Sequence, residues 1–200
     1  MNRGPLPRAA EYNEAVAVIC TTGSENYYHW MIDALPRLRL IEAAGLNADR
    51  YYVPMSAAYH REALRLLGID EELCIPATSH QHIEARSVIL PMSPGGLITP
   101  DICDFLRHRL LPNALSRTKS RGYTRLYITR RNAHWRKVTN ETELDRIFKA
   151  RGFTSVALED YELADQIRMF HEAKYIVGPH GAGLTNLVFC KPGTRVLEIS

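Results

Sequence analysis

Three short segments of the chain contain residue types that could activate or bind a substrate. The first, residues 24–38 (SENYYHWMIDALPRL), has His29 and Asp33 four positions apart. On a helix this spacing puts both side chains on one face, where the carboxylate can fix the imidazole tautomer and stabilise the protonated ring. Either His29 is a general base or Asp33 accepts the proton itself. The alternative is a helix-capping network around an aromatic core.

The second segment, residues 127–144 (YITRRNAHWRKVTNETEL), is rich in arginine. Arg130 ends a predicted strand and Arg136 lies in the following loop, where guanidinium groups could clamp a diphosphate through paired, charge-assisted hydrogen bonds. Asn140 is predicted to cap the next helix, with Glu143 at the capping-box position three residues later. The alternative for any single arginine here is a solvated surface charge.

The third segment, residues 175–186 (YIVGPHGAGLTN), places Gly181 and Gly183 between a buried strand and a short helix. Glycines let backbone N–H groups approach a ligand that a Cβ would obstruct, and the helix N-terminus favours an anion such as phosphate. The segment lacks the third glycine of the dinucleotide-binding fingerprint. The alternative is a tight structural turn.

The elements that must position these segments alternate as short β-rich runs and longer helical patterns, which is typical of parallel α/β units. Loops that follow the strands of a parallel sheet share one edge, so the arginine loop and the Gly181 turn are expected to face a common crevice. Pro36 is expected to bend or break the first helix. The predicted strands are 15–20, 51–54, 87–91, 125–130, 154–158, 175–179 and 195–199, and the predicted helices are 26–44, 57–67, 100–111, 140–151, 162–173 and 183–189.

A polar stretch rich in helix breakers predicts a linker between two halves of the chain. The linker is residues 113–122, so the halves are residues 1–112 and 123–200. The chain ends within the last predicted strand, before a helix that would normally cover that sheet face, and this predicts a truncated C-terminus.

The formal net charge of +3, from 25 basic and 22 acidic residues, conceals an asymmetry. Residues 105–140, the basic window, contain ten Lys or Arg and no acidic residue, which leaves 15 basic and 22 acidic residues elsewhere, a balance of −7. The overall balance is too small to predict nucleic-acid or membrane partners, whereas the window predicts an anionic ligand. The alternative is an RNA- or polyanion-binding protein with Tyr123, Tyr127 and Trp135 as stacking platforms.

Other classes of site have little support in the residue pattern. The four cysteines have no CxxC spacing, which favours reduced thiols, mostly buried, in a reducing compartment. No segment has signal-peptide form or approaches the ~18 apolar residues of a membrane span, so a cytoplasmic location is expected. His80 and His82 have no third ligand nearby and no DxD pair occurs, so no metal is expected.

Together and in this order, the segments resemble the glycosyltransferase family 61 proteins, which include plant xylosyl- and arabinosyltransferases and animal O-linked GlcNAc transferases. The likeness covers residues 26–199 and is nearest to the bacterial-type members. Its matching pieces are residues 26–30 (NYYHW), 33–37 (DALPR), Arg130 with 136–144 (RKVTNETEL), 165–167 (DQI), 178–186 (GPHGAGLTN) and Glu198.

This resemblance implies a GT-B-like arrangement of two Rossmann-like halves, the first on the acceptor side and the second holding a nucleotide sugar. It implies inverting, metal-independent transfer of a sugar from a nucleoside-diphosphate sugar, expected to be a UDP-sugar. The expected acceptor is a hydroxyl of a glycan or polysaccharide, and the candidate base is His29 or Asp33. A catalytically inactive sugar-nucleotide-binding relative is the alternative. The residues expected to bind substrate are Arg130, Arg136, Asn140, Glu141, His180, Gly181, Ala182, Gly183, Asn186 and Glu198.

Overall fold

The chain folds as two α/β units, each built on a parallel four-stranded sheet, in a computed structural model that describes residues 7–78, 81–92, 97–132 and 138–200. The units divide between Phe105 and Leu106. The predicted α/β class with parallel sheets is confirmed.

In the first unit the strand order is β3-β2-β1-β4. Strand β1 begins at Ala10, five residues before its predicted start, because Ala10–Tyr12 pair with β4 before a register irregularity. The elements are β1 (Ala10–Val18), α1 (Tyr27–His29), a π-helical segment (Trp30–Ala34), α2 (Arg37–Ala43), β2 (Arg50–Val53), α3 (Ala58–Leu67), a 3-10 turn (Glu71–Leu73), β3 (Cys74–Pro76) and β4 (Ile83–Ile89).

In the second unit the strand order is β6-β5-β7-β8. The central strands β5 and β7 contribute buried Leu126, Ile128, Ile176 and Val177 to the core. The elements are α4 (Pro100–Arg117), which spans the division, β5 (Arg125–Ile128), α5 (Glu141–Lys149), β6 (Thr154–Val156), a 3-10 turn (Leu158–Asp160), α6 (Leu163–Glu172), β7 (Tyr175–Pro179), a 3-10 helix (Ala182–Phe189) and β8 (Arg195–Ile199).

Helix α4 continues through Pro112 to Arg117, so the predicted helix end at residue 111 is wrong and residues 113–117 of the predicted linker are helical. Proline removes one backbone hydrogen bond from a helix interior. Leu106, Leu110 and Ala114 are fully buried at four-residue spacing, and their packing outweighs that loss.

The four cysteines are half-buried and form no disulfide. Burial raises the pKa of Cys74 and of Cys190 to about 11, so both thiols are protonated and unreactive at neutral pH. In the described ranges we find no helix with the length and apolar character needed to cross a membrane.

Candidate active site

The structure brings His29 and Asp33 into direct contact at the carboxyl edge of the first sheet. His29 Nδ1 lies 2.7 Å from Asp33 Oδ2. The histidine side chain is 43% exposed and the aspartate 10%, so the imidazole faces solvent while the carboxylate lies beneath it. Within the described residues, Nε2 of His29 makes no hydrogen bond. The predicted pairing is confirmed, and its geometry suits a proton acceptor held in one tautomer by the carboxylate.

A wide helical turn, Trp30–Ala34, carries this pair within the helix predicted over residues 26–44, and the expected break at Pro36 is confirmed. The backbone N–H of Leu35 donates to Trp30 O at 2.9 Å, which is a π-type bond. Pro36 has no N–H to continue the ladder, and a new helix begins at Arg37. Arg37 Nε donates to Asp33 O at 3.1 Å, which fixes the backbone under the carboxylate.

The loop before the pair is shaped to admit the imidazole. Gly23 has φ 86°, and a Cβ there would lie 3.2 Å from His29 Cδ2, so both backbone conformation and space favour glycine. Ser24 Oγ donates to Thr21 O at 2.8 Å, and Asn26 Oδ1 accepts from the N–H of Tyr28 at 2.9 Å. The predicted capping network therefore exists alongside the histidine–aspartate pair.

His60, which the sequence analysis missed, connects this loop to helix α3. Its ring is fully buried, and its Nδ1 accepts from the N–H of Ala57 at 3.1 Å. Nε2 therefore carries the proton and donates to Ser24 O at 3.0 Å. In residues 59–67 (YHREALRLL), His60 shares helical spacing with Ala63, Leu64 and Leu67. That pattern could have indicated that His60 is buried. His60 positions the loop that holds His29.

We expect His60 to make stability depend on pH. Burial lowers the pKa of His60, because imidazolium loses its hydration there. The unfolded state then binds the proton first, so this stability is complete above about pH 6.5 and is lost as the pH falls below that value. The loss is at most about 1.4 kcal/mol per pH unit for one proton.

Chemical denaturation between pH 5 and 8 measures this dependence. His60→Asn should flatten it and lower the free energy of unfolding at pH 7.5 by about 1–3 kcal/mol, because a buried hydrogen bond is lost. His82→Asn, at an exposed position of the same unit, is the control and should keep the slope. Equal slopes in the two variants would contradict the assignment.

In the second unit, Arg130 and Gly181 meet at the carboxyl edge of the sheet, as the parallel topology predicted. A Cβ at position 181 would overlap Arg130 Nη1 and lie 3.2 Å from Cζ, so the guanidinium rests directly on the glycine. Arg130 follows β5 and is half-buried. This places a cation directly over the backbone turn that precedes the 3-10 helix.

Gly178 and Gly183 lie close against neighbouring side chains. A Cβ at Gly183 would lie 2.7 Å from Leu158 Cδ1, and one at Gly178 would lie 3.0 Å from Ile128 Cβ. These glycines bring β7 and the following 3-10 helix against neighbouring side chains. The tight structural turn, which the sequence analysis gave as the alternative, is therefore present. Of the three glycines, Gly181 is the one next to a charged group, the Arg130 guanidinium.

Asn186 lies under this turn with no exposed surface. Its Nδ2 donates to Gln166 Oε1 at 3.0 Å, and Gln166 Nε2 donates to Leu158 O and Tyr161 O at 2.9 and 3.0 Å. In this structure Asn186 holds the turn in place. Sequence reasoning singled out residues 165–167 but did not assign this role to Gln166.

The predicted capping box at the start of α5 is wrong. Asn140 makes no capping hydrogen bond with its side chain, and its Nδ2 instead lies 3.4 Å from Glu143 Oε2. Glu141 fastens the helix to the sheet, because its Oε1 accepts from Tyr127 Oη at 2.9 Å and from Thr129 Oγ1. Burial, with Glu141 next to the phenol, raises the pKa of Tyr127.

His180 and Glu198 form an exposed pair beside the glycine turn, with Nδ1 2.5 Å from Oε1. The N–H of His180 also donates to Ile199 O at 2.9 Å, so β7 and β8 fix the position of the histidine. Ala182 begins the 3-10 helix that follows. Arg136 lies outside the described residues, and its role stays a prediction.

Comparison with known families decides what kind of protein carries these two clusters. Residues 27–197 match the family model described as Glycosyltransferase 61. The chain belongs to this family. The match takes in both His29–Asp33 and Arg130–Gly181, and it confirms the resemblance seen in the sequence.

Curated relatives of this family 61 chain are similar over limited regions. An EGF domain-specific O-linked N-acetylglucosamine transferase of Canis lupus familiaris is 33% identical over 97 residues, 46% of this chain and 18% of the relative. A beta-1,2-xylosyltransferase of Arabidopsis thaliana is 32% identical over 117 residues, 46% of this chain and 22% of the relative. A rice beta-1,2-xylosyltransferase (Oryza sativa subsp. japonica) is 51% identical over 37 residues, 18% of this chain and 7% of the relative. Each match therefore covers less than a quarter of the relative.

Several cations of the basic window have partners inside the second unit of this family 61 chain. Arg107 Nε donates to Val188 O at 2.5 Å, Arg121 pairs with Asp165 at 3.3 Å, and Arg131 pairs with Asp160 at 2.7 Å. The window is thus divided among separate contacts in the fold. No cluster of three or more His, Cys, Asp or Glu with metal-binding geometry occurs among the described residues.

Proposed function

We propose that this family 61 chain transfers a sugar from a UDP-sugar to a hydroxyl of a glycan or polysaccharide, with inversion at the anomeric carbon. The observation that carries the proposal is the Arg130 guanidinium held on Gly181 at the carboxyl edge of a parallel sheet. Family membership and the names of the curated relatives support the reaction class. A GT-B-like arrangement of the two units and a cytoplasmic location belong to the same proposal.

The donor diphosphate would bind at Arg130 and the Gly181–Gly183 turn. Arg130 supplies positive charge as the bond between the anomeric carbon and the diphosphate oxygen breaks. Arg136 is proposed to add a second guanidinium, and together the two take the electrostatic role of a metal ion. Glu198 is proposed to accept from a ribose hydroxyl, with His180 holding the carboxylate in place.

The acceptor would be activated by the pair in the first unit. His29 Nε2 takes the proton of the acceptor hydroxyl. The hydroxyl oxygen attacks the anomeric carbon from the side opposite the leaving diphosphate. Asp33 stabilises the imidazolium through the 2.7 Å contact with Nδ1. The products are the extended acceptor, UDP and a proton on His29, which solvent then removes.

Calorimetric titration with UDP tests the donor assignment. We expect binding with a Kd below about 1 mM, equivalent to about −4 kcal/mol, and weaker binding of UMP, which lacks the second phosphate. Absence of binding to the folded protein at millimolar UDP would remove the basis of the proposal. Binding without release of free sugar or transfer from UDP-sugars would instead support the inactive sugar-nucleotide-binding alternative.

A further inference from the structure

A second basic site lies at the amino edge of the second sheet, opposite the edge that carries Gly181. An open hollow of about 400 Å³ lies between the first residues of β7 and β8. The turn before β8, residues 191–194, completes its lining. Lys174, Lys191 and Arg195 contribute cations to its lining, and Tyr175 contributes the aromatic ring.

Arg125, Tyr175 and Arg195 form one row across three neighbouring strands. Arg125 is paired in register with Tyr175, and Tyr175 with Arg195. The guanidinium carbon of Arg125 lies 4.6 Å from the Tyr175 ring centroid, and that of Arg195 lies 5.9 Å away. Cation–π contacts of this kind hold the arginines in place and reduce the entropy lost on binding a ligand.

The backbone around the hollow is tied to the sheet. The N–H of Arg195 donates to Lys174 O at 2.9 Å, and the N–H of Lys174 donates to Thr124 O at 2.8 Å. Thr194 Oγ1 donates to Ala173 O at 3.0 Å. The cations therefore project from a fixed frame and not from a long loop.

The positive charge of the hollow is uncompensated within the described part of the chain. None of Arg125, Lys174, Lys191 and Arg195 forms an ion pair with a described carboxylate. Glu172, the acidic residue of the lining, is engaged by Arg168 Nη1 at 2.8 Å and Ser120 Oγ at 2.6 Å. Four cations at one edge, with the nearby carboxylate neutralised, favour a ligand with several negative charges.

We propose that this amino-edge hollow binds an acidic glycan, with carboxylate or sulfate groups on Lys174, Lys191, Arg125 and Arg195. Strands lie about 4.8 Å apart, so the backbones of Arg125 and Arg195 are about 10 Å apart. With Lys174 and Lys191 beside them, the cations are spread along the edge, which suits an extended polyanion better than a single small ion. Two guanidiniums already contact the Tyr175 ring, which disfavours the base stacking that single-stranded nucleic acid uses. The site is separate from the proposed donor site and does not depend on sugar transfer.

Titration with size-defined oligogalacturonates and heparin oligosaccharides, over a range of salt concentrations, tests this proposal. Lys174→Glu and Lys191→Glu should each weaken binding of at least one of these probes by fivefold or more. The double variant should reduce the slope of log affinity against log salt by at least roughly one. Arg146→Glu, an equal charge change at an exposed position of α5, is the matched control and should change affinity less than twofold.

Four outcomes would overturn the proposal: no binding of either glycan, equal effects of the variants and the control, competition by UDP, or tighter binding of poly(U) at the same residues. The last would indicate a nucleic-acid site and competition by UDP would indicate the donor site. Circular dichroism of each variant shows whether it is folded. Glycan binding is measured directly, so the proposal can be tested even if UDP does not bind.

Discussion

Replacing Arg130 with alanine is expected to weaken UDP binding about 30-fold, equivalent to roughly 2 kcal/mol. The reason is that a charge-assisted hydrogen bond to phosphate contributes about 1.5–3 kcal/mol. Calorimetry on the folded variant measures the change. Arg131→Ala is the matched control, because Arg131 is the adjacent residue but pairs with Asp160 at 2.7 Å on the surface. We expect its effect on UDP affinity to stay below threefold.

Gly181→Ala gives an independent check on the same contact. Its Cβ would overlap Arg130 Nη1 and displace the guanidinium, so we expect a loss of UDP affinity of about tenfold. In the Arg130→Ala background the obstruction is absent, and the added methyl should have little further effect. Such non-additivity is the signature of two residues acting through one contact. Fully additive losses would show that Gly181 and Arg130 act separately.

Asp33→Asn is expected to lower the rate of sugar transfer about 10³-fold while UDP affinity stays within twofold. An amide can donate to His29 Nδ1 and stabilise the wrong tautomer, and it cannot stabilise the imidazolium. Transfer assays with UDP-sugars, or UDP-sugar hydrolysis in the absence of a known acceptor, measure the rate. Glu84→Gln, at an exposed carboxylate of the same unit, is the control and should leave the rate unchanged.

His29→Gln distinguishes the two candidates for the base. If His29 accepts the proton, this variant loses activity as severely as Asp33→Asn, and the combined variant loses little more. If Asp33 accepts the proton directly, His29→Gln retains activity within about tenfold and Asp33→Asn does not. The 10% exposure of the Asp33 side chain, against 43% for His29, leads us to expect the first result.

Most of the fold could be predicted because its signals are local. Apolar runs such as residues 175–179 and helical spacing such as residues 162–173 indicate the elements themselves, and their alternation indicates a parallel sheet. Strand β3, Cys74–Pro76, was not predicted, because it is short and contains Pro76, which disfavours a strand assignment. The continuation of α4 through Pro112 depends on packing at Leu110 and Ala114, which outweighs the local preference of proline.

In the candidate site too, contacts between residues close in sequence could be predicted and contacts between distant residues could not. His29 and Asp33 are close in sequence, so their spacing predicted that they share a helical face, and the structure shows the contact between them. His60 lies 36 residues from Ser24, and no spacing rule connects a lone histidine with a distant carbonyl. The capping role predicted for Asn140 was wrong, because Glu141 is instead fastened to the hydroxyls of Tyr127 and Thr129.

By itself, the sequence determined the parallel α/β class, the His29–Asp33 spacing and the family to which the chain belongs. Only the tertiary structure decided that Arg130 lies on Gly181, that Gly183 packs against Leu158, and that the Arg125–Tyr175–Arg195 row forms at the other edge. The physical reason is the sequence distance over which each signal acts. Helix and strand periods fix which residues share a face over a few positions, whereas strand order and register decide which distant side chains become neighbours.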